Sequence, residues 1–130
     1  MFRWVDHTAE LELEIEAPSE EAVFAEALAA FAELAGDVSG PPASREVEVA
    51  ADDRALLLVE WLSELVYLSE VEELVPERIE SLELEGGKLR ATVQGRRGRP
   101  RHLVKAVTLH RLELKRDEDA GWRARLVLDV

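Results

Sequence analysis

The stretch "DHTAELELEIEA", residues 6–17, sets an acid, an imidazole and a hydroxyl (Asp6, His7 and Thr8) just ahead of Glu10. A second acid, Asp129, is the penultimate residue, beside Val130. If the chain ends there, a side-chain carboxylate and the terminal carboxylate lie side by side. Two or three carboxylates supply the oxygen donors that a hard divalent cation such as Ca²⁺ or Mg²⁺ takes. Glu10 begins a strand pattern and Asp129 ends one, and antiparallel neighbours place the start of one strand beside the end of the other. The same residues have a plainer reading. Glu10 is one of four alternating glutamates that suit a solvated strand face, and Asp6 and Thr8 can simply cap a strand end. The spacing permits a cation site and leaves both readings open.

Other chemistry finds less support. His7, His102 and His110 are the only histidines, and no HxxxH or HExxH spacing joins them, so a histidine-built zinc site is not expected. His110, inside a strand pattern, is expected to be a hydrogen-bonded structural residue. No serine lies in a GxSxG context, and the absence of cysteine excludes disulfides, thiolate metal sites and a thiol nucleophile. "EGGK" sits in a hairpin turn and lacks the glycine-framed nest of a phosphate loop. One basic cluster stands out in "GRRGRPRHLVK": Arg96, Arg97, Arg99, Arg101, His102 and Lys105. It can grip phosphates, RNA or an acidic partner, or it can be a solvated loop that offsets excess carboxylate charge. No aromatic residue separates the arginines to stack on bases.

The elements that would hold these residues follow from periodicity. In "AELELEIEA", Leu11, Leu13 and Ile15 face one way and the glutamates the other, as in a half-buried strand. Pro18 and Ser19 open a helix whose stripe is Val23, Phe24, Ala27, Leu28, Phe31, Leu34 and Ala35, and Gly36 closes it. "REVEVA" is a short strand after a "GPPA" loop. Asp52 or Asp53 caps a second helix, "RALLLVEWLSELVYLSEVEEL", apolar nearly all round in its first half. "IESLELEGGKLRATVQG" is a hairpin turning at Gly86 and Gly87. "RRGRPRH" is a loop, "LVKAVTLHRLELKR" a strand and "WRARLVLDV" the last strand. These elements predict an α+β fold: one domain over residues 1–130, a mostly antiparallel sheet with two main helices packed on one face.

Composition bounds the answer further. The 130 residues suit one domain with a single core, and 47% hydrophobic with 34% charged residues suits a globular chain. A net charge of −12 argues against a protein that holds nucleic acid by its overall field. No run reaches membrane-spanning length and the start has no basic-then-apolar pattern, so a cytoplasmic protein without a membrane role is expected. The absence of asparagine, with a single glutamine, fits either a hot environment or a GC-rich genome.

"DHTAE" with its alternating strand, "SEEAVFAEALAAFAELAGD", "LLVEWLSELVYL", "VKAVTLH" and the terminal "LDV" together resemble the archease family, in the same order and over essentially the whole chain. The resemblance implies a small acidic α+β protein cofactor of the tRNA-splicing RNA ligase. That ligase joins a 2′,3′-cyclic phosphate or 3′-phosphate RNA end to a 5′-hydroxyl end with GTP and a metal. The archease promotes its guanylylation and multiple turnover without itself catalysing ligation, and any contact with RNA is indirect or weak. The implied metal site maps to Glu10, Asp129 and Val130, with Ca²⁺ the first expectation and Mg²⁺ or Mn²⁺ the alternatives. Asp6 and His7 are expected to support that site, and Lys105 matches a lysine the family carries near it. Two positions depart from the family pattern: Glu10 stands where Asp is usual, one methylene longer, and Leu109 where an aromatic residue is typical. Two other functions are open to these residues. One is a metal-dependent phosphoesterase using Asp6, Glu10 and Asp129. The other is an RNA-binding module using the Arg96–Arg101 loop.

Overall fold

The alternating run after Glu10 forms a strand, and so does the stretch before it, which the sequence pattern left unassigned. The computed structural model describes every residue except Thr8, Ala9, Leu103 and Ala120, and of His7 the main chain alone. The element order is β1 (Phe2–His7), β2 (Glu10–Ala17), α1 (Glu20–Ala35), β3 (Pro42–Ala50), α2 (Arg54–Glu70), β4 (Leu74–Glu85), β5 (Lys88–Arg97), β6 (Ala106–Asp117) and β7 (Gly121–Asp129). In β1, Phe2 and Trp4 alternate with Arg3 and Val5, and the two half-buried rings meet edge to face at 6.5 Å. Six residues with two aromatics give too short a period-2 signal to stand out from a disordered start.

The α+β class expected from sequence holds, with the strands divided between two antiparallel sheets, β1-β2-β7-β6 and β3-β5-β4. Both helices touch both sheets. Leu13 and Ile15 from β2, Leu126 and Leu128 from β7, and Leu89 and Val93 from β5 join the helix stripes in one buried cluster. Burying each such side chain contributes about 1.5–3 kcal/mol. Trp61 of α2 lies at the centre, fully buried, and its indole N–H donates to the Phe24 carbonyl of α1 at 2.9 Å. That bond ties one helix to the other.

Local signals set the helix ends. The Ser19 hydroxyl accepts from the Ala22 N–H and the Asp53 carboxylate from the Leu56 N–H, so each satisfies one of the free donors of a first turn. Gly36, at φ +82, closes α1 in a conformation that disfavours an L side chain. In the second sheet β4 is an edge strand, which tolerates Pro76 within it, and its register slips next to that residue. Gly95 is required opposite, because a Cβ there would fall 2.0 Å from the Val75 carbonyl oxygen.

One helix acid gives a pH signature. Glu64 of α2 is half-buried, and burial first, then the neighbouring Glu72 and Glu60 carboxylates, push its carboxyl above the usual range. The folded protein therefore holds this proton more tightly than the unfolded chain does, and ionised Glu64 costs stability once pH exceeds the ordinary carboxylate range. Glu64→Gln is expected to raise the thermal midpoint at about pH 7 and to leave it unchanged near about pH 3, where both side chains are neutral. A pair of melting curves checks this.

Candidate functional site

The register of the first sheet decides which candidate residues meet. β2 and β7 pair antiparallel with Glu10 directly opposite Asp129, so the two acids far apart in sequence become cross-strand neighbours. Directly opposed residues share a face of the sheet, with Cβ atoms about 4.5–5.5 Å apart. On the other side of β2, His7 is the register partner of Glu10; on the other side of β7, Ala106 is the partner of Asp129. The Lys105 N–H donates to the Asp129 carbonyl at 2.8 Å, which fixes the start of β6 to the end of β7. Val130 follows at the same end, half-buried.

Not every expected residue joins this group. Asp6 pairs with Leu11, one step out of phase with Glu10, and so belongs to the opposite side of the sheet. Thr8 lies outside the described residues. The Lys105 side chain is exposed, and the described contact with Asp129 is through its main chain.

The rest of this outer face is an array of charge pairs. Arg3 meets Glu14, Arg123 meets Glu16 at 3.1 Å and Asp117 at 2.7 Å, and Arg125 meets Glu113 at 2.9 Å. The Arg3 hydrogen bond holds the Glu14 carboxyl below its usual range, and the Lys115 contact does the same for Glu113. Stability from these two acids is present above the ordinary carboxylate range and is lost as pH falls through their lowered values. Glu10 and Asp129 stand apart from the array. Among the described residues no lysine or arginine forms an ion pair with either, and the His110 imidazole stands beside Glu10, Nδ1 to Oε1 4.0 Å. Like charges directly opposite across a ladder destabilise it, so a bound cation would relieve this pair.

The donor chemistry fits a hard cation. Both side chains end in carboxylates, the Glu10 side chain is 39% exposed, and Val130 adjoins Asp129 in sequence. Among the described residues no group of three His, Cys, Asp or Glu side chains is gathered closely enough to hold a metal ion.

One residue that sequence reasoning missed is Glu12. Alternation assigns it to a solvated face, yet it is 3% exposed, and so is its neighbour Val127 at 1%. A break in β6 covers them. The strand pairs regularly up to Thr108 opposite Val127 and resumes only at Glu113 opposite Arg125. The Arg111 guanidinium, from within the break, reaches the Glu12 carboxylate at 2.9 Å. The signal was present in the apolar spacing of β6: Val107 and Leu109 are two apart, as are Leu112 and Leu114, but Leu109 and Leu112 are three apart. Leu109 falls at the break and is 62% exposed.

The basic cluster is less of a loop than expected, because Arg96 and Arg97 belong to β5. Arg97 donates to the Glu72 carbonyl at 2.9 Å and Arg96 to the Gly40 carbonyl at 3.2 Å, while Arg99 lies 3.4 Å from Glu73. These guanidiniums tie connecting segments to the second sheet. They are structural before they are anything else.

Comparisons with known proteins point one way. The Archease protein family (MTH1598/TM1083) matches residues 2–130. "Protein archease" of Methanosarcina barkeri is 35% identical, over 99% of this chain and 95% of its own length. "Protein archease" of Pyrobaculum neutrophilum is 33% identical with the same coverage. The solution structure of Methanobacterium thermoautotrophicum protein 1598 superposes with a TM-score of 0.73 at 29% identity, covering 99% of this chain and 98% of that one. The crystal structure of a Thermotoga maritima archease, described as a possible chaperone, shares the fold with a TM-score of 0.70 at 24% identity, covering 100% and 98%.

Proposed function

The chain belongs to the archease family, and from that premise we propose that it is a protein cofactor of a tRNA-splicing RNA ligase, raising ligase guanylylation and turnover in the cytoplasm without joining RNA ends itself. The working part is the acidic end of the first sheet. Glu10, Asp129 and the main-chain oxygens of Val130 hold a divalent cation, Ca²⁺ in the first instance, with Mg²⁺ or Mn²⁺ as alternatives. Such an ion supplies concentrated positive charge at a surface that is otherwise acidic, either to order the face that docks on the ligase or to be presented to it. Lys105 stands at the rim of that face.

The observation that carries this reading is the direct cross-strand opposition of Glu10 and Asp129, set apart from the paired charges around them. Glutamate at position 10 keeps a carboxylate where the family pattern has aspartate. The rivals have weaker support. A phosphoesterase using Asp6, Glu10 and Asp129 would need all three on one face, and Asp6 belongs to the other. An RNA module built on the Arg96–Arg101 loop would have to free the Arg96 and Arg97 guanidiniums, which already bond to the Gly40 and Glu72 carbonyls, and would be left with the exposed Arg99 and Arg101.

The test is multiple-turnover ligation by the cognate ligase with substoichiometric amounts of this protein. Restored turnover, with no action of the protein alone on RNA ends, supports the cofactor role. Unchanged turnover rejects it.

A further inference from the structure

The break in β6 has a cause and a consequence that meet at the site. Between its two regular stretches β6 advances five residues, Thr108 to Glu113, while β7 retreats only two, Val127 to Arg125. The three surplus residues arch over the outer face. Arg111, within the arch, sits at φ +57, a conformation an L side chain keeps only where its surroundings hold it. Two contacts do so: its guanidinium grips the buried Glu12 carboxylate at 2.9 Å, and its carbonyl accepts from Arg125 Nε at 3.1 Å. Arg125 is itself fixed by Glu113 at 2.9 Å. The residue before Arg111 is His110, whose N–H donates to the Thr108 hydroxyl at 3.2 Å and whose ring stands 4.0 Å from Glu10.

We infer that Arg111 is a positioning residue for the carboxylate pair: anchored on Glu12, it holds the arch so that the His110 ring stays beside Glu10. This deepens the proposed function and rests on it only for the cation. The chemistry follows from what a ligating carboxylate needs. A carboxylate on a strand end has rotational freedom, and an imidazole 4.0 Å away narrows it; groups hydrogen-bonded to a ligand are typically worth about 10–100-fold in metal affinity, and a contact of this length is worth less. Glu12 suits the anchor because it is 3% exposed and so holds its end of the ion pair in one place, while the Arg111 side chain remains half exposed. A buried charge of this sort is kept where it fixes one arrangement rather than where it adds stability.

The test reads the His110 ring directly. In ¹H–¹⁵N spectra of the metal-free protein, Glu10→Ala is expected to shift the His110 ring resonances. In an Arg111→Ala background that response is expected to vanish, and Arg111→Lys, which keeps a cation within reach of Glu12, is expected to restore part of it. Arg111→Gly is the second variant, since glycine accepts the positive φ without strain; both variants take the same cation from Glu12, so comparing them isolates the backbone contribution. Calorimetric titration with Ca²⁺ should show affinity weakened in Arg111→Gly, by less than about 10-fold. A His110 response to Glu10→Ala that is the same with and without Arg111 overturns the inference. Should the wild type take up no Ca²⁺, the cation reading fails alone, and the metal-free ring response still decides the role of Arg111.

Discussion

Asp129→Ala and Glu10→Ala are each expected to abolish stimulation of ligase turnover while leaving the protein folded. Both carboxylates sit at strand ends on the outer face, away from the buried cluster. Neither has a lysine or arginine ion pair to lose among the described residues. Removing one of two opposed like charges relieves repulsion, so the stability change should stay within about 0.5 kcal/mol and can have either sign. For a chain of this size that moves the thermal midpoint by only a few degrees, roughly 2–4 °C at most. Loss of Ca²⁺ uptake, read by calorimetry, should accompany loss of stimulation in both variants. Glu10→Asp should retain both, since it shortens the ligand by one methylene and keeps its charge. A collapse of folding on Asp129→Ala would make that residue structural and remove it from the site. Full stimulation by Asp129→Ala would remove the cation from the mechanism.

The largest effect on stability is expected at Trp61. Its side chain is fully buried where α2 crosses α1, and its N–H is bonded to the Phe24 carbonyl at 2.9 Å. Trp61→Ala deletes a large apolar volume that surrounding helices and strands can only partly refill, at a cost of about 3–5 kcal/mol. Domains of this kind have about 5–15 kcal/mol in all, so the loss is a large share of the total. The midpoint should fall by roughly 10 °C or more. Trp61→Phe separates the two contributions, because it keeps most of the volume and removes the N–H; its cost should be the smaller. Chemical denaturation of the three proteins measures both. A Trp61→Ala variant as stable as the wild type would mean that the core repacks around the gap.

Trp61 and the carboxylate pair also differ in how they could be read from sequence. The helix that carries Trp61 is legible from the Asp53 cap and the nearly unbroken apolar run behind it, because caps and helical stripes act over a few residues. The same holds for the strand after Glu10, the Ser19 start and Gly36 end of α1, and the turn at Gly86 and Gly87. In each case the residues that set the element lie within one turn or one strand of it. Even the meeting of Glu10 and Asp129 follows from alternation and strand order, once the two strands are taken as antiparallel neighbours.

What tertiary structure alone decided lies where two distant segments compete for one face. Glu12, like Glu14 and Glu16, is flanked by apolar residues, and nothing in β2 distinguishes it; it is buried where the arch of β6, about a hundred residues later, reaches it through Arg111. Asp6 is as close to Glu10 in sequence as Glu14, yet the pairing of β1 with β2, rather than proximity along the chain, puts it with Leu11 on the opposite side. The division of seven strands into two sheets is of the same kind. Period-2 patterns say which side chains share a face, but which strand lies beside which is settled by long-range burial of the helices between them. The sequence determined the elements and the acidic ends they carry. Packing determined which acids are covered, which are paired with a cation and which two are set opposite each other.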